Sequence, residues 1–227
     1  AEVDAPATAI WDVLKACVAK GRFTLLARLV DGGWTDDLRT RPDASVLLAK
    51  VIAARGGDVG GDLGEMRKQR IPLFAIGPAM SHPDLYKGRL VLFRAEVRDV
   101  KLAAGKSTAK LAEFAIGMSE RFVGGDRLVR RDSGSYSGSD GPNAFGESSR
   151  TWQSQRRFTK NEAVATGLEA IARMGQVDPF FEPGRQFVVL ARFDGVREEE
   201  GEELDQVTRL ALVSVIAYYE PSASIVE

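Results

Sequence analysis

Gly88-Arg-Leu-Val-Leu-Phe-Arg-Ala-Glu-Val97 and Gly184-Arg-Gln-Phe-Val-Val-Leu-Ala-Arg-Phe193 carry one pattern twice. Each leaves a glycine turn and then alternates. In the first, Val91, Phe93, Ala95 and Val97 share one side, while Arg94, Glu96 and Arg98 take the other. In the second, Phe187, Val189, Ala191 and Phe193 match them one for one. Side chains on an extended chain alternate with a period of two, so each stretch reads as a half-buried strand. Both set an alanine midway. A small residue there suits a sharply bent strand in a little barrel, where bulky neighbours fill the taper.

Working outward, Arg89–Val100 is the first strand, and Ala104-Gly105-Lys106 turns it into a returning strand over Thr108–Gly117. Arg121–Arg131 and Arg150–Phe158 read as two extended segments of a third strand, split by a loop. That loop, 132–149, is built of Ser, Gly, Asn and Pro and is expected to be mobile. Lys160–Met174 has Val164, Leu168, Ile171 and Ala172 at helical spacing, with Asn161 as a cap, and predicts an amphipathic helix. Arg185–Val196 is the fourth strand, an acidic loop follows over Glu198–Asp205, and Val207–Tyr219 is the fifth.

Five strands with one helix between the third and fourth is the element order of a Greek-key OB barrel. With Tyr86-Lys87-Gly88-Arg89 ahead of the first strand and Pro183-Gly184-Arg185 ahead of the fourth, residues about 86–219 resemble the divergent bacterial OB-fold domains of the nucleic-acid-binding OB superfamily. The resemblance implies an α+β chain: an N-terminal helical module over 1–64, a connector over 65–84, and a five-stranded OB-like barrel over 85–221.

The helical module rests on three stretches. Ala7–Lys20 places Ile10, Trp11, Leu14, Cys17 and Val18 on one helical face. Phe23–Val30 predicts a second helix, stopped by Gly32-Gly33. A third begins after Pro42, with Asp43 as its N-cap and Val46, Leu47, Val51 and Ile52 as its stripe. Five glycines within 56–64 read as a flexible joint, and Pro72, Pro78 and Pro83 break the connector.

No enzymatic constellation emerges. One cysteine, Cys17, and one histidine, His82, exclude an internal disulfide and any multi-cysteine metal site. Gly56–Gly64 lacks the Lys-Ser/Thr of a phosphate loop. Gly134-Ser-Tyr-Ser-Gly138 lies in the polar loop without the strand and helix of a nucleophile elbow. Cys17 on an apolar helical face reads as an inert thiol. Glu198-Glu-Glu-Gly-Glu-Glu203 lacks the ligand alternation of a calcium loop. Hence no catalytic residue, cofactor or metal is expected, and no run approaches the roughly 18 apolar residues of a membrane span.

Net charge is −1, so attraction to a polyanion has to be local. Arg121–Lys160 supplies such a patch, with eight basic residues against four acids. Its candidate binding residues are Arg127, Arg130, Arg131, Arg150, Trp152, Arg156 and Arg157, and Tyr136 and Phe158 join Trp152 as stacking rings. Against it stands Asp194–Asp205, with seven acids and Arg197 alone, in the loop that flanks an OB ligand face. The acidic loop favours a non-catalytic adaptor docking a protein partner through the barrel face or the helical module. Single-stranded nucleic-acid binding on the Arg121–Lys160 face is the alternative. The chain opens Ala-Glu-Val-Asp without methionine, which tilts the expected compartment to the bacterial cell envelope, exported or periplasmic. Oligomeric state is left open.

Overall fold

The computed structural model describes residues 4–20, 30, 33–103, 106–122, 157–175, 179–200 and 207–222. Two compact units divide the chain: residues 1–117 with 163–227, and residues 118–162. The described helices are α1 (Asp4–Ala19), α2 (Thr35–Thr40), α3 (Ala44–Ala54), α4 (Val59–Lys68), α5 (Ile76–Ser81) and α6 (Pro83–Tyr86), followed by β1 (Leu90–Ala103), β2 (Lys106–Phe122), β3 (Arg157–Met174), β4 (Gln186–Glu200) and β5 (Val207–Tyr219).

The five strands close into a barrel in the order β1-β2-β3-β5-β4. This is a Greek-key barrel of OB type preceded by helices, an α+β fold. The two matched stretches are hydrogen-bonded neighbours running antiparallel, with Val91 opposite Ala191, Phe93 opposite Val189 and Ala95 opposite Phe187. Residues directly opposite share a face, and all six are buried with Val97 and Phe193. The predicted inward row is the barrel core.

The helix expected over Lys160–Met174 is a correction: it is strand, the body of β3. Leu168, Ala170, Ala172 and Met174 alternate toward the core, and Glu169 to Arg173 run parallel to Leu210 to Ser214 of β5. Alanine, leucine and glutamate favour helix locally, yet a neighbouring strand with a free edge satisfies every backbone group and buries the alternate side chains. Val164, placed on the helical stripe, is exposed. Among the described residues of 175–185 there is no helix.

Helix from elsewhere closes the barrel. α5, which precedes β1, contributes Ile76, Ala79 and Met80 to the barrel core, and Arg209 at the start of β5 donates to the Met80 carbonyl at 3.2 Å. Phe181, between β3 and β4, stacks 5.0 Å from Phe187 and meets Tyr218 edge-on at 4.8 Å.

The outer side of β1 and β4 is apolar too. Leu92, Val188 and Leu190 are fully buried in a second core with Leu48, Ile52 and Met66 of α3 and α4. The glycine-rich stretch 56–64, expected as a joint, is mostly helix: α4 starts on Asp58, whose carboxylate accepts from the Gly61 N–H at 3.2 Å. Each helical glycine costs about 1 kcal/mol. The stripe Val59, Leu63 and Met66, all buried, outweighs that cost. Asp43, expected to cap α3, makes no cap bond; it accepts instead from the Trp11 indole N–H at 3.1 Å. On α1, Trp11, Leu14 and Val18 are buried as expected, whereas Ile10 is 56% exposed and Cys17 half-buried. The predicted helix over Phe23–Val30 and the loop 132–149 lie outside the described residues, apart from helical Val30.

Gly57 sits where the end of α3 meets β4, with φ +74, and a Cβ there would lie 3.0 Å from Val188 Cγ2 and 3.1 Å from Pro221 Cβ. Gly57→Ala should therefore cost about 1–2 kcal/mol for the left-handed backbone and more for the overlap. Gly88 has φ +82 and open space around it, so Gly88→Ala carries the backbone cost alone. Urea midpoints should rank wild type, Gly88→Ala, Gly57→Ala. Equal losses in the two variants would show that the helix end does not press on β4.

Candidate functional site

An OB barrel presents ligands to the outer face of its second and third strands and the loops flanking it. Because opposite residues share a face, the register assigns that surface here. Ala95, Val97 and Val100 point inward with Leu111 and Ala109, so Arg94–Phe114, Glu96–Ala112, Asp99–Lys110 and Lys101–Thr108 are the outward pairs. The register slips between Val97 and Asp99, a bulge that turns Arg98 outward. Its guanidinium lies 5.9 Å from the Phe114 ring centre.

Most charge on this surface is already matched. Arg98 pairs with Glu96 at 2.8 Å, Lys110 with Glu169 of β3 at 3.0 Å and Lys101 with Asp99 at 3.9 Å. Arg94 acts as a bolt: it donates to the Gly56 carbonyl at 2.8 Å and to Gln186 Oε1 at 2.8 and 3.0 Å, tying α3 to β1 and β4. Burial pushes the Glu113 carboxyl above the ordinary carboxylate range, although the Thr166 hydroxyl, donating at 2.7 Å, acts against the shift.

β2 ends at Phe122 and β3 begins at Arg157, so 123–156, with five arginines and four acids, connect the two strands. Arg127, Arg130, Arg131, Arg150, Trp152 and Arg156 lie outside the described residues, and Arg157 is the first residue of β3. The acidic stretch is placed more fully. Glu198, Glu199 and Glu200 belong to β4 rather than to a free loop. Arg209 lies 3.7 Å from Glu198 and Arg197 lies 3.5 Å from Glu199. Asp194 accepts from Arg192 at 3.0 Å and from the Ser214 hydroxyl. Arg209 of β5, opposite Glu198, therefore offsets part of the negative charge that argued against a polyanion.

One ionisable group away from the barrel face is strained. Asp62 of α4 is 8% exposed, Arg55 Nη2 stands 3.6 Å from its Oδ1, and its Oδ2 has no hydrogen-bond partner among the described residues. Burial pushes its carboxyl up to about 6, with Arg55 opposing. The folded state thus holds a proton on Asp62 that the unfolded chain releases near pH 4, and stability from this group falls as pH rises from 4 through 6. A shift of this size corresponds to about 2–3 kcal/mol at neutral pH. Asp62→Asn should match the wild type near pH 4 and melt at or above it at pH 7.5. A difference that does not grow between those pH values would remove Asp62 as its source.

No family model matches the chain, and no curated protein matches it. Among solved structures, the small single-stranded DNA-binding protein from Streptomyces coelicolor is similar at 14% identity, with a TM-score of 0.29, over 60% of this chain and 97% of that one.

Proposed function

We propose that the protein is a non-catalytic single-stranded nucleic-acid-binding protein whose ligand lies along the β2–β3 side of the barrel. One observation carries the reading: Arg127, Arg130, Arg131, Arg150, Trp152 and Arg156 all fall in the covalent connection between β2 and β3, and Arg121, Arg157 and Lys160 flank it on the two strands. A strand lying across β2 meets the Phe114 ring and the Arg98 guanidinium, and Arg150, Trp152, Arg156 and Arg157 are the contacts proposed from the sequence. Rings stack on any base, and arginines neutralise phosphates without reading sequence. The acidic β4–β5 pair favours a protein ligand less once Arg209 stands against Glu198.

The full chain should bind a labelled 15-nucleotide oligo(dT) with an affinity that falls steeply with salt, by roughly 0.7 counterions per phosphate contacted. Trp152→Ala should weaken binding by about 1–3 kcal/mol, the worth of one stacked base. Arg156→Glu with Arg157→Glu should weaken it further and flatten the salt slope, leaving the melting temperature unchanged. Absence of binding below about 100 μM at physiological salt, the weak end of non-specific contacts, would sink the proposal.

A second reading, docking of a protein partner, is favoured by one feature. Ile10 and Val13 of α1 are 56% and 63% exposed, at the margin of the stripe that buries Trp11, Leu14 and Val18. An apolar pair facing outward on a helix suits a helix-on-helix contact. Ile10→Lys with Val13→Lys should abolish recovery of a protein partner in a pull-down while oligonucleotide affinity stays intact.

A further inference from the structure

The unit formed by residues 1–117 and 163–227 holds a groove between the end of α4 and the start of β1. Leu63, Ile71 and Leu73 are buried along it, Phe74 is half-buried, and Arg67, Arg70 and Arg89 stand exposed around it, enclosing about 320 Å³. The floor is stiff: the Phe74 N–H donates to the Leu90 carbonyl at 3.1 Å, and the Leu92 N–H donates to the Phe74 carbonyl at 2.8 Å. A second groove of about 180 Å³ shares Ile71, Pro72 and Leu73 with the first and leads on to Arg39 and Arg41. No carboxylate lines either.

Five arginines elsewhere among the described residues are answered. Arg39, Arg41, Arg98, Arg185 and Arg192 each lie within 3.2 Å of a carboxylate oxygen. Arg67, Arg70 and Arg89 have no ion pair among the described residues. Arg67 and Arg70 alone would be ordinary cations near a helix C-terminus. Arg89 comes from a different element and converges on the same groove, its guanidinium 5.5 Å from the Phe74 ring centre.

Arg70 adds an independent observation. Its φ is +55, the one non-glycine residue in the left-handed region among the described residues. It closes α4 in a Schellman turn: its N–H donates to the Arg67 carbonyl at 3.0 Å, and the Ile71 N–H donates to the Met66 carbonyl at 3.1 Å. Glycine is the residue that this position favours. An arginine held there at a conformational cost, beside two unpaired arginines, points to a ligand.

We infer that this groove binds the phosphate backbone of single-stranded nucleic acid, as a second contact beyond the β2–β3 face; the inference rests on the function proposed above. Three unmatched guanidinium groups recognise phosphate by charge and forked hydrogen bonds. The continuation of the groove over Ile71, Pro72 and Leu73 suits an extended ligand better than a compact one.

The test uses the full chain and labelled oligo(dT) of 15 nucleotides over a salt series. Arg67→Glu, Arg70→Glu and Arg89→Glu combined should lower affinity at least tenfold and reduce the salt slope by about 2, three phosphates at roughly 0.7 each. Arg70→Gly is the internal check. It should melt about 2–4 °C higher, as expected for a relieved backbone in a chain of this size, yet bind oligo(dT) a few-fold more weakly. A merely structural Arg70 would give the first effect without the second. Groove variants that bind like the wild type, while Trp152→Ala loses affinity, would overturn the groove and leave the β2–β3 reading standing. The converse result would keep the groove and remove the β2–β3 face. A free nucleoside triphosphate that displaces the oligonucleotide at equal phosphate concentration would make the groove a small-ligand pocket and overturn the inference. Wild-type protein that ignores oligo(dT) would overturn both.

Discussion

Phe93→Asp should abolish the cooperative melt of the barrel. Phe93 is 1% exposed on the inward row of β1, opposite Val189 of β4, which is 0% exposed. Truncating a buried phenylalanine costs about 3–5 kcal/mol, and a buried carboxylate without a partner costs several more. Total stability of a domain is about 5–15 kcal/mol, so the variant has little or nothing left. Val189→Asp should do the same from the facing strand. Lys101→Asp, at a side chain 81% exposed on the outer surface of the same β1, should leave the melt in place. Thermal circular dichroism reads all three. A Phe93→Asp melt within two degrees of the wild type would mean that this row does not face a core.

Trp11→Ala should release α1 while the barrel persists. Trp11 is 1% exposed, donates its indole N–H to Asp43, packs 5.8 Å from Trp34 and lies under the Arg41 guanidinium at 5.1 Å. Asp43 feels the same cluster. Burial raises its carboxyl, but the Trp11 indole and the Lys15 ammonium together hold it below its ordinary value. Losing a buried tryptophan costs about 3–5 kcal/mol, or roughly two to four powers of ten in an opening equilibrium. Hydrogen exchange at the Leu14–Val18 amides should accelerate by that factor, with amides of β1 and β4 much less affected. Uniform acceleration through barrel and helix would show that α1 and the barrel unfold as one body. Unchanged protection at Leu14–Val18 would show that Trp11 does not anchor the helix.

The candidate site was legible only in part. Arg127, Arg130, Arg131, Arg150, Trp152 and Arg156 stand out in the sequence as arginines and a ring in one polar segment, and in chain order that segment joins β2 to β3. The pairing of Glu198 with Arg209 was not legible, because a cross-strand pair depends on register. Nor was the convergence of Arg67, Arg70 and Arg89, which are spread over 23 residues and lie on a helix end, a turn and a strand approach. The one local signal was an arginine where a helix-closing glycine would be expected.

By itself the sequence determined β1, β4 and β5, since a period of two with a bulky apolar row leaves an extended chain one way to bury its side chains. It determined α1 and α3 in the same way, from their apolar stripes. Only the tertiary structure decided 157–174. Leu168, Ala170, Ala172 and Met174 fit a strand as well as Val164, Leu168, Ile171 and Ala172 fit a helix, and the open edge of β5 is what selects between them. It also decided that α5, ahead of β1, would close the barrel, and that Leu92, Val188 and Leu190 on its outer side would bury against α3 and α4. Alternation reports which residues share a side, but not whether a second layer of the same chain covers the other.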